Sequence, residues 1–79
     1  MLSGTNTYTF SELSNIKSVF VAYGNVATFA YFDDSDQLVV DSFYPNHWKV
    51  TAISGNQITL FSAYTSTDTK NIKFYIQGD

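Results

Sequence analysis

The chain has 79 residues and a mass of 8.9 kDa, room for one domain over residues 1–79, which excludes enzymes built from two lobes. It carries four Lys, no Arg and seven acidic side chains, a net charge of −3, so the basic stripe that displaces counterions from nucleic acid is missing. Hydrophobic residues make up 44% and aromatic residues 18%, ample material for a core, yet no Cys is present to staple it.

Short runs of alternating apolar and polar residues, punctuated by turn formers about every 8–12 positions, predict an all-β chain. Thr7–Phe10 reads as a short first strand, and Ser11–Asn15 as a helical turn or loop. Ile16–Tyr23 follows, with Val19, Val21 and Tyr23 on one face and Phe20 and Ala22 on the other. Leu13, Ile16 and Phe20 also fit helical spacing behind a Ser11 cap, but the β-branched and aromatic run Val19-Phe20-Val21 favours a pleated surface. Gly24-Asn25 is a two-residue hairpin connection to Val26–Phe32.

Asp33-Asp34-Ser35-Asp36 predicts a turn into Gln37–Phe43, where Leu38 and Val40 share a face. Tyr44-Pro45-Asn46-His47 breaks the pattern, because Pro lacks a ladder donor. Trp48–Ser54 is the next strand, with Trp48, Val50 and Ala52 on one side. Ser54-Gly55-Asn56 turns it into Gln57–Tyr64; the polar Thr65–Thr69 loop then leads to Lys70–Ile76, whose Ile72, Phe74 and Ile76 face the core. The expected architecture is a single small antiparallel β-sandwich of about seven strands.

Several strands carry rings on both faces: Phe20 and Tyr23, Phe29 and Phe32, Phe61 and Tyr64, Phe74 and Tyr75. One closed core needs one apolar face, so the surplus predicts an interaction surface. A domain this small without disulfide or metal is commonly stabilised by association, which makes a homo-oligomer the expected state.

Chemistry-bearing residues are few. The acidic run Asp33–Asp36 lacks the spacing of a calcium loop and reads as a solvated turn, and Asp41 as a solvent-facing strand residue. His47 is the sole imidazole, so no zinc cluster is expected, and without a Gly-x-Ser-x-Gly elbow or much room for a pocket no serine activated by His47 is expected either. The four Gly are scattered and form no phosphate cradle. No catalytic residue, metal site or cofactor is predicted. The one cluster suited to a ligand is Tyr44, Asn46, His47 and Trp48, which combines rings, an amide and an imidazole as glycan sites do. Its alternative is structural, with Trp48 plugging the core or a subunit seam and His47 exposed. Met1–Asn6 lacks a basic region followed by an apolar run, and no stretch approaches the roughly 18 apolar residues of a membrane span. A soluble chain without signal peptide or membrane insertion is expected.

The hairpin from Trp48 to Leu60, with its strand-Ser-Gly-Asn-strand form, and the ending Ile72-Lys73-Phe74-Tyr75-Ile76-Gln77-Gly78 resemble small β-sandwich modules of bacteriophage virions, of the tail-fibre tip or capsid decoration type. The resemblance covers roughly Thr7 to Gly78 in texture, Arg-poor and rich in Ser, Thr, Asn, Tyr and Phe. It implies a non-enzymatic virion component, self-associating with a trimer favoured or joined to other virion proteins, that binds a host surface or reinforces the particle. Two alternatives stand beside it: a carbohydrate-binding module using Tyr44, His47 and Trp48 on a host glycan, and a small acidic inhibitor of a host enzyme.

Overall fold

The computed structural model describes residues 2–67 and 71–79. They form seven strands: β1 (Leu2–Thr9), β2 (Ile16–Tyr23), β3 (Val26–Phe32), β4 (Leu38–Ser42), β5 (Trp48–Ser54), β6 (Gln57–Thr67) and β7 (Lys73–Gly78). All pairings are antiparallel, in a three-stranded sheet of order β1-β6-β5 and a four-stranded sheet of order β4-β3-β2-β7. The chain is therefore an all-β sandwich. Segment Ser11–Asn15 is a turn and Ile16–Tyr23 a strand, so the helical alternative is not taken.

Local chemistry explains the hairpins. Gly24 and Gly55 have φ of 60° and 59° while the Asn after each stays at negative φ, the pattern of a II′ turn with Gly first. These turns match the twist of the flanking strands, and a side chain at either Gly would be strained. The β3–β4 connection is built differently. Asp36 sits at φ 59° and the Asp33 carboxylate accepts the amides of Ser35 (2.8 Å) and Gln37 (2.9 Å). The acidic run is thus a side-chain-locked turn. Asp33→Ala is expected to destabilise the fold by about 1 kcal/mol, read as a melting temperature about 4–8 °C lower. Asp34→Ala, exposed on the same turn, is expected to cost less than about 0.5 kcal/mol.

The core lies between the sheets. Ile16, Val19, Val21, Val26 and Ala30 from the four-stranded sheet meet Trp48, Val50, Ile58 and Leu60 from the other, with Ile72 beside them. On the β1/β7 side the space is closed by rings: Tyr8 and Phe10 each lie 5.2 Å from Phe74, centroid to centroid. Burial pushes the Tyr8 hydroxyl above its ordinary pKa of 10.0. On the β4/β5 side polar groups join the sheets. Buried Thr28 donates to the Asp41 carbonyl (3.2 Å) and accepts from the Val50 amide (3.4 Å), and the Ser42 hydroxyl donates to the Trp48 carbonyl. Among the described residues no buried side-chain polar atom lacks a partner.

Four elements depart from the sequence reading. β1 begins at Leu2, five residues before Thr7, and passes through an irregularity between Leu2 and Gly4, where Gly4 takes φ 80°. A bulge between Val50 and Ala52 shifts the phase of β5, so Ala52 is exposed and Ile53 turns inward opposite Ile58. β6 continues through Thr65–Thr67, with Thr67 paired to Leu2, where the polar composition predicts a loop; Asp68 and Thr69 lie outside the described residues. Lys70 also lies outside them, and β7 runs from Lys73 to Gly78.

Candidate functional surface

The four residues of the predicted ligand cluster do not converge. A turn joins β4 to β5, with the amides of His47 and Trp48 both donating to the Tyr44 carbonyl at 2.9 Å. It leaves Tyr44, Asn46 and His47 exposed. Trp48 is 0% exposed, stacks on Tyr23 (5.7 Å, 28°) and donates its indole N–H to the Val21 carbonyl at 3.1 Å. Its ring therefore has no face left for a sugar, and Trp48 is corrected from ligand contact to core plug. The physical reason is its position at the head of β5, two residues before buried Val50 on the same face. His47 lies on the neighbouring side, stacked on Tyr64 at 5.6 Å. Asn46 lines an open depression of about 350 Å³ with Thr5, Lys49 and Phe61, which Tyr44 and His47 do not reach.

The Asp33–Asp36 turn borders another open depression, of about 400 Å³, with Asn15, Ile16, Lys17 and Phe32. Lys17 is 3.5 Å from the Asp79 carboxylate, and both are well exposed, so this ion pair adds little. No group of three or more His, Asp or Glu that could hold a metal ion occurs among the described residues.

The outer faces of the two sheets differ sharply. On the three-stranded sheet, β1 presents Thr5, Thr7 and Thr9 beside Phe61, Thr59 and Gln57 of β6. Here the Thr7 and Thr59 hydroxyls are hydrogen-bonded at 3.1 Å, and Gln57 donates to Thr9 at 3.2 Å. That face is largely polar and satisfied.

On the four-stranded sheet the ladder aligns Asp41, Phe29, Phe20 and Tyr75 in one row across β4, β3, β2 and β7. A second row is Val39, Tyr31, Ser18 and Gln77. Phe43 continues the face beyond β4, its amide bonded to the Ala27 carbonyl (3.1 Å), and Ala27, Ala22 and Lys73 complete a third row. The rings touch: Phe20–Tyr75 at 6.1 Å and Phe29–Tyr31 at 5.5 Å. They are also open to solvent, with Phe20 38%, Tyr31 39%, Phe29 41%, Tyr75 60% and Phe43 69% exposed. Phe20, Phe29, Phe43 and Asp41 rim a small depression of about 50 Å³.

Five rings, each showing a third to two-thirds of the ~150–250 Å² that an aromatic side chain can bury, make a patch of roughly 500 Å². Patches this size sit near the top of the range for the largest patch on a monomer and are often functional. A surplus of rings is visible in the sequence, but only the pairing of β7 with β2 and of β3 with both neighbours gathers them onto one face. No family model, curated protein or solved structure matches the chain.

Proposed function

We propose that this chain is a non-enzymatic structural or adhesion module that associates with copies of itself through the outer face of the four-stranded sheet. The supporting observation is the continuous aromatic patch of Phe20, Phe29, Tyr31, Phe43 and Tyr75. Flanking Val39, Asp41, Lys73 and Gln77 bring the face toward the ~800 Å² per partner of a standard interface. Its composition, aromatic at the centre and charged only at the rim, is that of a protein contact. The total surface of 4915 Å² is close to the ~4,800 Å² expected for a folded monomer of this mass. The proposed association joins units that each carry their own core. A virion is the setting implied by the likeness to phage β-sandwich modules, where such assembly would build a host-binding tip or reinforce a shell.

Light scattering across a dilution series tests this reading. The wild-type chain is expected to gain mass with concentration, and Phe29→Lys or Tyr75→Lys to weaken association by about 30-fold or more. Both positions are exposed, so both variants should keep the wild-type circular dichroism spectrum. A wild-type chain that remains monomeric up to millimolar concentration sinks the proposal.

A further inference from the structure

Two copies associating through the aromatic face, the reading on which this inference rests, have to adopt an orientation, and the charges at the edges of the face select it. The order β4-β3-β2-β7 puts Asp41 on one edge strand and Lys73 on the other. Three strand spacings, about 14 Å, separate these edges, too far for the two side chains to pair within one copy. Among the described residues the sole ion pair is Lys17–Asp79, on a different part of the surface.

Aligned face-to-face packing of identical sheets offers two kinds of two-fold axis. An axis running across the strands lays β4 on β4 and β7 on β7. At whatever height it sits, Asp41 never meets Lys73, and with the aromatic rows in full overlap Asp41 lies over Asp41, like charge on like charge. An axis parallel to the strands lays β4 of one copy on β7 of the other. Asp41 then faces the row of Tyr75 and lies one row, about 7 Å, from Lys73, a distance the lysine stem spans. The same operation sets Phe29 of one copy over Phe20 of the other, at the centre of the patch.

We propose that the chain forms a two-fold dimer about an axis parallel to the sheet strands, in which Asp41 of each copy pairs with Lys73 of the other. A self-complementary face closes with two copies, so the assembly is a dimer where the phage resemblance implies a trimer. The orientation has a functional consequence. An axis along the strands keeps both copies pointing the same way, so the Gly24–Asn25 turns and the exposed Tyr44, Asn46 and His47 of both copies stand at one end of the dimer. Any receptor contact made there is bivalent, and avidity then multiplies a weak single-site affinity by about 10²–10⁴ when both sites engage.

Charge exchange tests the arrangement. Asp41→Lys and Lys73→Asp are measured alone and as an equimolar mixture by sedimentation velocity, with native mass spectrometry to identify the heterodimer. Each variant alone sets like charges across both edges and should dimerise about 10-fold more weakly than wild type. In the mixture every edge contact again joins opposite charges, so a heterodimer should form within about 3-fold of wild-type affinity. A wild-type chain that dimerises while each variant alone dimerises as tightly as wild type, the result that an axis across the strands gives, overturns the orientation and leaves the association reading standing. A wild-type chain that never dimerises overturns both.

Discussion

Trp48→Ala is expected to leave the chain unfolded at room temperature. The indole is the largest fully buried side chain and bridges the layers, stacked on Tyr23 and bonded to the Val21 carbonyl at 3.1 Å. Emptying such a site costs about 3–5 kcal/mol, and a single core in a chain this small seldom supplies more than about 3–5 kcal/mol in total. Loss and stability are the same size, so the loss wins. Trp48→Phe separates the two contributions. It keeps most of the ring packing but gives up part of the indole volume and its N–H bond to the Val21 carbonyl, so it should stay folded with a cost of about 2 kcal/mol. Urea unfolding followed by near-ultraviolet circular dichroism, at one fixed protein concentration because association adds stability, distinguishes these outcomes. A cooperative Trp48→Ala transition near the wild-type midpoint would mean that the core does not depend on this ring.

Gly78→Ala is the second substitution with a large expected effect, and the cause is space. A Cβ at Gly78 would overlap the Asn15 carbonyl oxygen and stand 2.9 Å from the Ile16 Cα. Both obstacles are backbone, and Gly78 is paired directly with Ile16, so no side-chain rotation relieves the contact. The end of β7 has to leave the sheet. With it go the bonds from Ser14 to the Asp79 carbonyl (2.7 Å) and from the Asp79 amide to the Asn15 carbonyl (2.9 Å). The expected cost is about 2–3 kcal/mol, a fall in melting temperature of about 10–20 °C. Amide exchange should accelerate at Ser14, which is bonded to the departing end, and far less at Val19, in the middle of β2. Unchanged protection at Ser14 would contradict the account.

What is legible in the amino-acid sequence is local. The two Gly-Asn turns, the Asp33–Asp36 turn and the alternation in Ile16–Tyr23 each rest on neighbours within a few positions, and each appears in the fold. The allocation of strands to sheets is not legible, because β1 pairs with β6 and β2 with β7 across more than half the chain and no short-range pattern encodes those partners. The bulge near Thr51 is equally silent, since one extra residue reverses the facing of Ala52 and Ile53 without changing composition. Trp48 shows why the ligand cluster dissolves. Adjacency groups it with Tyr44, Asn46 and His47, whereas its period-two relation to Val50 places it on the inward side of β5. Phe20, Phe29 and Tyr75 each stand out as surplus rings, but their union into one row depends on the register.

The order in which the strands pair also governs how the molecule can be made. Three hairpins close early, yet the first strand meets its neighbour only after residue 57 has emerged from the ribosome, and β2 acquires its second flank only after residue 73. Until then the inward rows of both sheets stay open to water or to a chaperone, and little tertiary structure can accumulate during synthesis. Such remote pairing also slows the search, and refolding on the millisecond-to-second scale is the pace its topology sets.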